Sequence, residues 1–378
     1  MLIKVASAAE PAQKFAELES IRGIAALLVV FHHMPGWNER FYNVGALRNG
    51  HLMVELFFVL SGFVIFRAYA ARITTWRELA RFQFLRFGRL YPVHILFLFS
   101  FVLIELAKYI AQAKFGIVSS NTTPFKENSW AAFWQQVFLV QSIGPTGNAT
   151  TFNSPAWSIS VEFYTYLVFA LVALFANRMK VFIFFVIFIV STLLLASKNT
   201  FGFEKLLSCT TGFFLGCLTG VVTNNVKGKL HSSLSLIALC SLISFVVLKP
   251  QVDYDIAIYF LTAALILALV LTGPGLVKSV LNWPVLTWLG TISYSIYMCH
   301  DTVIWFVNQL FRIVLKKPEM LIDGHSEPQL SNIETIVTYL IIGIVVLAIS
   351  QLTYTFIEKP LRAKSREVAF ESVARNPT

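Results

Sequence analysis

One apolar run, Ile21–Pro35 (IRGIAALLVVFHHMP), holds an arginine and two adjacent histidines. A cation inside hydrocarbon costs free energy and marks a functional candidate. On a helix of 3.6 residues per turn, Arg22 and His33 lie eleven positions apart, which puts them on one face at about 16 Å. That is roughly half the thickness of a bilayer core. His32, one position earlier and about 100° round the helix, is expected to point away from the surface that Arg22 lines. His33 is therefore the histidine expected to line the surface that Arg22 lines, and an imidazole there is a potential base, since it exchanges protons near neutral pH. A guanidinium suits a different task, two-pronged contact with phosphate or carboxylate. Further candidates are the pair Arg86 and Arg89 (i, i+3), the carboxylates Glu55 and Glu162, and Ser158 one turn before Glu162. His300 beside Asp301, and His94 after Tyr91-Pro92, are weaker candidates, and Ser61-Gly62 reads mainly as close helix packing.

The elements that must position these groups follow from composition. With 378 residues, 56% of them hydrophobic, 35 phenylalanines and a mean hydropathy of +0.69, the chain is not an ordinary water-soluble globule. It reads as an all-α protein, a polytopic membrane bundle. Apolar segments near 18–35, 51–70, 90–111, 155–176, 179–197, 205–223, 231–248, 255–272, 284–311 and 333–357, each bounded by charge, Gly or Pro, predict about ten transmembrane helices. One membrane domain, 21–362, lies between polar tails at 1–20 and 363–378. The first tail lacks the apolar core and cleavage site of a secretory signal. The segment 130–141 is too short to span, and its Trp130 and Trp134 suit an interface.

Six arginines between the second and third spans, from Arg67 to Arg89, place that connection in the cytoplasm by the positive-inside rule. Both termini then lie inside, and the long loop 112–154, with N-x-[ST] matches at Asn121 and Asn148, lies outside. The net charge of +10 serves orientation and anionic lipid in such a chain, and no nucleic-acid partner is expected. Cys209, Cys217, Cys240 and Cys299 sit in apolar runs with no CxxC and no zinc-type spacing, so they read as packing residues and no metal site is expected.

Depth sorts the polar groups into two layers. Arg22, Arg86 and Arg89 fall near the inner ends of their helices; His33, Glu55, Ser158 and Glu162 form an outer layer with a base and two carboxylates. The plain alternatives are a topology-setting charge run for the arginines, an interfacial hydrogen-bonded histidine for His33, and ion pairing for the glutamates.

Six motifs, IRGIAALLVVFHH at 21–33, VELFFVLSGFVI at 54–65, FLRFGRLYP at 84–92, PAWSISVEFYTYL at 155–167, LGTISYSIYMCH at 289–300 and YTFIEKPLR at 354–362, stand in order along the chain. In this set and order the sequence resembles the acyltransferase-3 family of integral membrane acyltransferases, many of which O-acetylate bacterial surface polysaccharides. The resemblance implies transfer of an acyl group, usually acetyl, from cytoplasmic acyl-CoA to a hydroxyl of a cell-surface or exported carbohydrate in the bacterial inner membrane. By motif position it implies His33 as the catalytic histidine, Arg22 as its companion, and Arg86 with Arg89 as the pair that holds the CoA donor. Met53-Val54-Glu55 stands where the family often has Gly-Val-Asp. The C-terminal hydrolase-like domain of some members is absent from this sequence. Chemically the layers agree with this: guanidinium groups face the compartment of a polyanionic donor, and a histidine, oriented by Glu55 or Glu162, serves a poor hydroxyl nucleophile. Two other classes compete on the same residues. A secondary transporter of an anionic solute would use an Arg/His/Glu pathway but shows no inverted repeat, and a haem carrier would need two facing histidines.

Overall fold

A computed structural model describes residues 15–117, 123–226, 229–250 and 255–374. Eleven principal helices carry it: α1 (Ala16–His32), α2 (Leu52–Tyr69), α3 (Trp76–Phe115), α4 (Trp157–Phe175), α5 (Lys180–Ala196), α6 (Glu204–Asn225), α7 (Ser233–Leu248), α8 (Ile256–Leu271), α9 (Pro284–Gln309), α10 (Asn332–Thr353) and α11 (Lys359–Ala374). Each of the ten predicted apolar segments coincides with one of α1–α10. Among the described residues, five helical stretches are long and apolar enough to cross a membrane, and α5, α7 and α8 are shorter apolar helices. The fold is an all-α membrane bundle. Its outward face has the polarity of lipid, with Leu103, Phe182, Leu193, Leu340 and Ile344 exposed, because backbone polar groups satisfied within each helix leave only side chains to meet hydrocarbon. The predicted tail residues 1–14, the sequon at Asn121 and residues 375–378 lie outside the described residues.

Local sequence explains the helix ends. The hydroxyl of Thr75 and the carboxylate of Glu78 form a reciprocal capping box at the start of α3, and Gly116, at φ +64°, closes its other end in the left-handed region. At 40 residues α3 is about 60 Å long and reaches beyond a bilayer core. Pro284 opens α9 at a position where its missing N–H costs nothing.

Glycines set the spacing of the inner helices. α2 packs on α6 and α1 on α9. A methyl group on Gly62 would run into the Phe213 carbonyl, and one on Gly216 into that of Val59, so the backbones of α2 and α6 touch. Likewise, a Cβ on Gly23 would lie 2.5 Å from the Gly290 nitrogen, and one on Gly290 would strike the Glu19 carbonyl. α1 and α9 thus cross at Gly23 and Gly290 and run on in the same direction. Ten residues later, about 15 Å along each axis, stand His33 and His300.

The two ends of the bundle differ. One, here the basic end, carries the start of α1, the turn 70–75 and α11. Residues 363–374 continue as helix α11 on α3, where Arg81 Nε donates to the Ala369 carbonyl at 3.1 Å. The other is the hairpin end. Glu319–Ile322 pairs antiparallel with His325–Pro328, and Asp323 and Gly324 between them both have positive φ (48° and 83°), as a two-residue hairpin turn requires. The hairpin is tied to the loop after α1 through Leu330 N–H to the Trp37 carbonyl, 2.8 Å, and Tyr42 Oη to Asp323 Oδ2, 2.7 Å. Between α3 and α4, the short helix Trp130–Val137 exposes Trp130 and Trp134, as expected of an interfacial segment.

Candidate functional site

His33 caps the end of α1, and its Nδ1 lies 2.9 Å from the Val29 carbonyl. A carbonyl only accepts, so Nδ1 carries the proton and the lone pair of a neutral ring is on Nε2. Its ring meets that of His300 edge to face, with centroids 4.8 Å apart. His300 is fully buried, and neither of its ring nitrogens has a hydrogen-bond partner among the described residues. Its nearest charge is the Asp301 carboxylate, 3.4 Å from Nε2. The donor atoms of His33, His300 and Asp301 all lie within 4.8 Å of one another, close enough to share a proton network or to converge on one cation.

His32 does not point away as helix geometry suggests. The two histidine rings stand 5.1 Å apart and line the same cavity, His33 keeping its backbone hydrogen bond to the Val29 carbonyl at the helix end. They differ in attachment, since His32 Nδ1 donates to the Leu47 carbonyl across the loop, 2.9 Å away.

Three cavities meet at this cluster or just below it. The histidine cavity, about 320 Å³, is lined by His32, His33, Glu55, Trp157, Lys205 and Tyr297 among others. Glu55 shares it with His33; its Oε1 receives the Ser208 hydroxyl at 3.5 Å, and its buried Oε2 has no partner among the described residues. Toward the basic end lies the small arginine cavity, about 50 Å³, whose walls include Arg22, Ser158, Glu162 and Tyr294. Val54 and Tyr297 line both cavities and form the partition between them. The third, the hairpin cavity of about 580 Å³, opens from His33 and Asp301 toward the hairpin.

Glu162, placed by its sequence depth in the layer of His33, instead belongs to the arginine cavity. It accepts from Ser61 Oγ at 2.6 Å and from Tyr166 Oη at 2.5 Å. Ser158 joins Tyr297 across the partition, 2.9 Å oxygen to oxygen. Arg22 faces Glu19 at 3.9 Å. Arg86 is buried under the rings of Tyr69, Phe82 and Tyr166 and donates to Tyr69 Oη at 3.2 Å, while its Nε lacks a partner among the described residues. Arg89 feels Glu19, Glu162 and Glu358 without making a direct bond to any of them.

Sequence reasoning under-weighted two groups. Asp301 supplies the carboxylate nearest the histidine pair, by way of His300. Glu358 and Arg362, inside a quoted motif yet given no role, complete the basic layer: α10 widens into a π turn at Tyr354–Glu358, which turns Glu358 inward to accept from Ser295 Oγ at 2.8 Å. A buried Glu four residues before an Arg was the available signal.

Comparisons with known proteins show the family. The family model described as "Acyltransferase domain", that of the acyltransferase-3 family, matches residues 15–355. YrhL of Bacillus subtilis (strain 168), provisionally named a peptidoglycan O-acetyltransferase, is 24% identical over 385 aligned positions, which cover 92% of this chain and 55% of YrhL. O-acetyltransferase OatA of Staphylococcus aureus (strain NCTC 8325 / PS 47) is 26% identical, covering 92% of this chain and 57% of OatA. A Rhizobium radiobacter protein called "Protein 2 in picA locus" is 32% identical over 164 positions, or 42% of this chain and 83% of that one. The chain thus spans about half the length of YrhL and OatA. No solved structure matches it. Since the matched region runs from the first residue of α1's cap through α10 and takes in every wall of the three cavities, the chain belongs to the acyltransferase-3 family.

Proposed function

We propose that this membrane acyltransferase moves an acyl group, acetyl in the simplest case, from cytoplasmic acyl-CoA to a hydroxyl of an exported carbohydrate, with peptidoglycan, named for YrhL, as the first acceptor to test. Residues 21–362 are the catalytic unit, set in the bacterial plasma membrane. The basic end, with both termini, faces the cytoplasm and the hairpin end faces out, following the arginine-rich connection between α2 and α3.

The observation that carries this reading is the order of groups along the bundle axis. Arg86 packs on Tyr166, one turn from Glu162; Glu162 and Arg22 line the arginine cavity; and the Val54–Tyr297 partition stands between that cavity and the one lined by His33. Guanidinium groups at the basic end suit the phosphates of a CoA thioester, and a narrow passage suits its slender arm. His33 Nε2 takes the proton of the attacking hydroxyl as the new C–O bond forms at the thioester carbonyl. The tetrahedral intermediate then collapses, the C–S bond breaks, and the imidazolium returns its proton to the leaving thiolate. Asp301, acting through His300, stabilises the transient positive charge, and Glu55 offers its unpartnered Oε2 to the incoming hydroxyl.

The test is acetyl-CoA with purified protein in detergent micelles, free thiol being followed with and without glycan fragments, alongside mass analysis of surface glycan from a deletion strain. Acceptor-dependent thiol release and a lost 42-Da increment (about the mass of one acetyl group replacing a proton) are expected; a strain with unaltered glycan overturns the reading.

A further inference from the structure

From the hairpin cavity we infer the seat of the acceptor: a carbohydrate chain enters between the hairpin 319–328 and the outer end of α9, and presents one hydroxyl to His33. This rests on the transfer reaction proposed above and adds where its second substrate binds.

Position gives the first argument. Of the two cavities that reach His33, the histidine cavity abuts the arginine cavity at the shared Val54–Tyr297 wall and so lies on the side of the proposed donor. The hairpin cavity shares with it only His32 and His33. Two substrates that must meet at one imidazole thereby have separate approaches. At about 580 Å³ the hairpin cavity falls within the ~300–1,000 Å³ of ligand clefts.

Its lining gives the second. Trp305 offers a flat aromatic face, and Asn308, Asp323 and Glu327 offer amide and carboxylate groups of the kind that bond paired hydroxyls. These groups are held in place but not saturated. Asp323 Oδ2 receives both Tyr42 Oη and Arg48 Nη2 (2.7 and 3.4 Å), and Glu327 Oε2 receives Asn308 Nδ2 at 3.2 Å; the second oxygen of each carboxylate accepts no hydrogen bond among the described residues. The Tyr42 hydroxyl holds the Asp323 carboxyl below the usual range, so it is an acceptor at neutral pH.

Construction gives the third. The hairpin is the one two-stranded sheet among the described residues, and its polar ties to Tyr42, Arg48, Asn308 and the Trp37 carbonyl fix it as a wall over His33 instead of a free loop. Side chains locked this way can discriminate by geometry.

The experiment uses the full chain in a deletion strain, where the native acceptor is present. Surface-glycan O-acetyl content is measured at matched expression, and acetyl-CoA binding is measured on the purified proteins. Trp305→Ala and Glu327→Gln are expected to lower O-acetyl content at least tenfold with the acetyl-CoA Kd within twofold of wild type, and Trp305→Phe to retain more than half. Lys205→Ala, in the histidine cavity, reports on the alternative approach. Full O-acetylation by both hairpin-cavity variants, a donor Kd that rises with them, or a loss confined to Lys205→Ala overturns the acceptor assignment while leaving the transfer reaction standing. A wild-type chain that adds no acetyl group to glycan overturns both.

Discussion

His33 on α1 and His300 on α9 each stand ten residues beyond the glycine at which their helices touch, and their rings meet at 4.8 Å. Because both helices rise at the same pitch, the Gly23–Gly290 contact fixes this pairing. Gly290→Ala should therefore separate the histidines by forcing the backbone of α1 away. We expect a stability loss of about 1–3 kcal/mol, the usual cost of overpacking, with a larger proportional loss of acyl transfer. Thermal unfolding and activity on the same preparation check this; unchanged activity would detach the pairing from catalysis.

His33→Ala should lower turnover by the ~10²-fold or more that a general base contributes, with expression retained. His32→Ala should keep most activity although its ring shares the cavity, because its ring neighbours are His33 and His51, whereas His33 is the ring that meets His300. Steady-state kinetics on the two variants decides between them, and a chain silenced by His32→Ala alone would move the base by one residue.

On the proposed mechanism His300 and Asp301 act on His33 as positioning residues. Asp301→Asn should reduce kcat about tenfold, leave both KM values in place, and alter the pH dependence of kcat/KM, which a packing role would not touch. The three-residue cluster could also hold a cation, and dialysis against EDTA separates the possibilities. Activity that survives chelation fits the base; activity lost and then restored by Zn²⁺ would make these residues ligands.

Arg89→Lys should raise the KM for acetyl-CoA more than it lowers kcat, since a point charge does not replace a planar fork on phosphate. Unchanged donor KM in a folded variant would return Arg89 to setting topology.

The helices and the charged residues were legible because hydrocarbon penalises polarity. Ten apolar runs had to be helices, and Arg22, Arg86, Arg89 and His33 stood out against them. Which carboxylate serves His33 was not legible. Depth alone put Glu162 level with it, whereas helix packing brings Glu162 to Ser61 of α2 and to the cavity lined by Arg22 of α1. Asp301 reaches the site only through the register of α9 against α1, a relation between segments more than 250 residues apart that no local spacing encodes. The hairpin did leave a signal, the turn pair Asp323-Gly324, too brief to stand out beside twenty-residue helices.

The backbones of α1 with α9 and of α2 with α6 are in direct contact at glycines. On the proposed route an acetyl group passes to the acceptor and the acceptor's hydroxyl proton returns on the CoA thiol, so the exchange carries no net charge through the membrane field and voltage does no work on the step. The driving force is then the thioester bond itself. Cells whose proton-motive force has been collapsed should go on acetylating their surface for as long as the cytoplasmic donor lasts, which sets this bundle apart energetically from an ion-coupled pump.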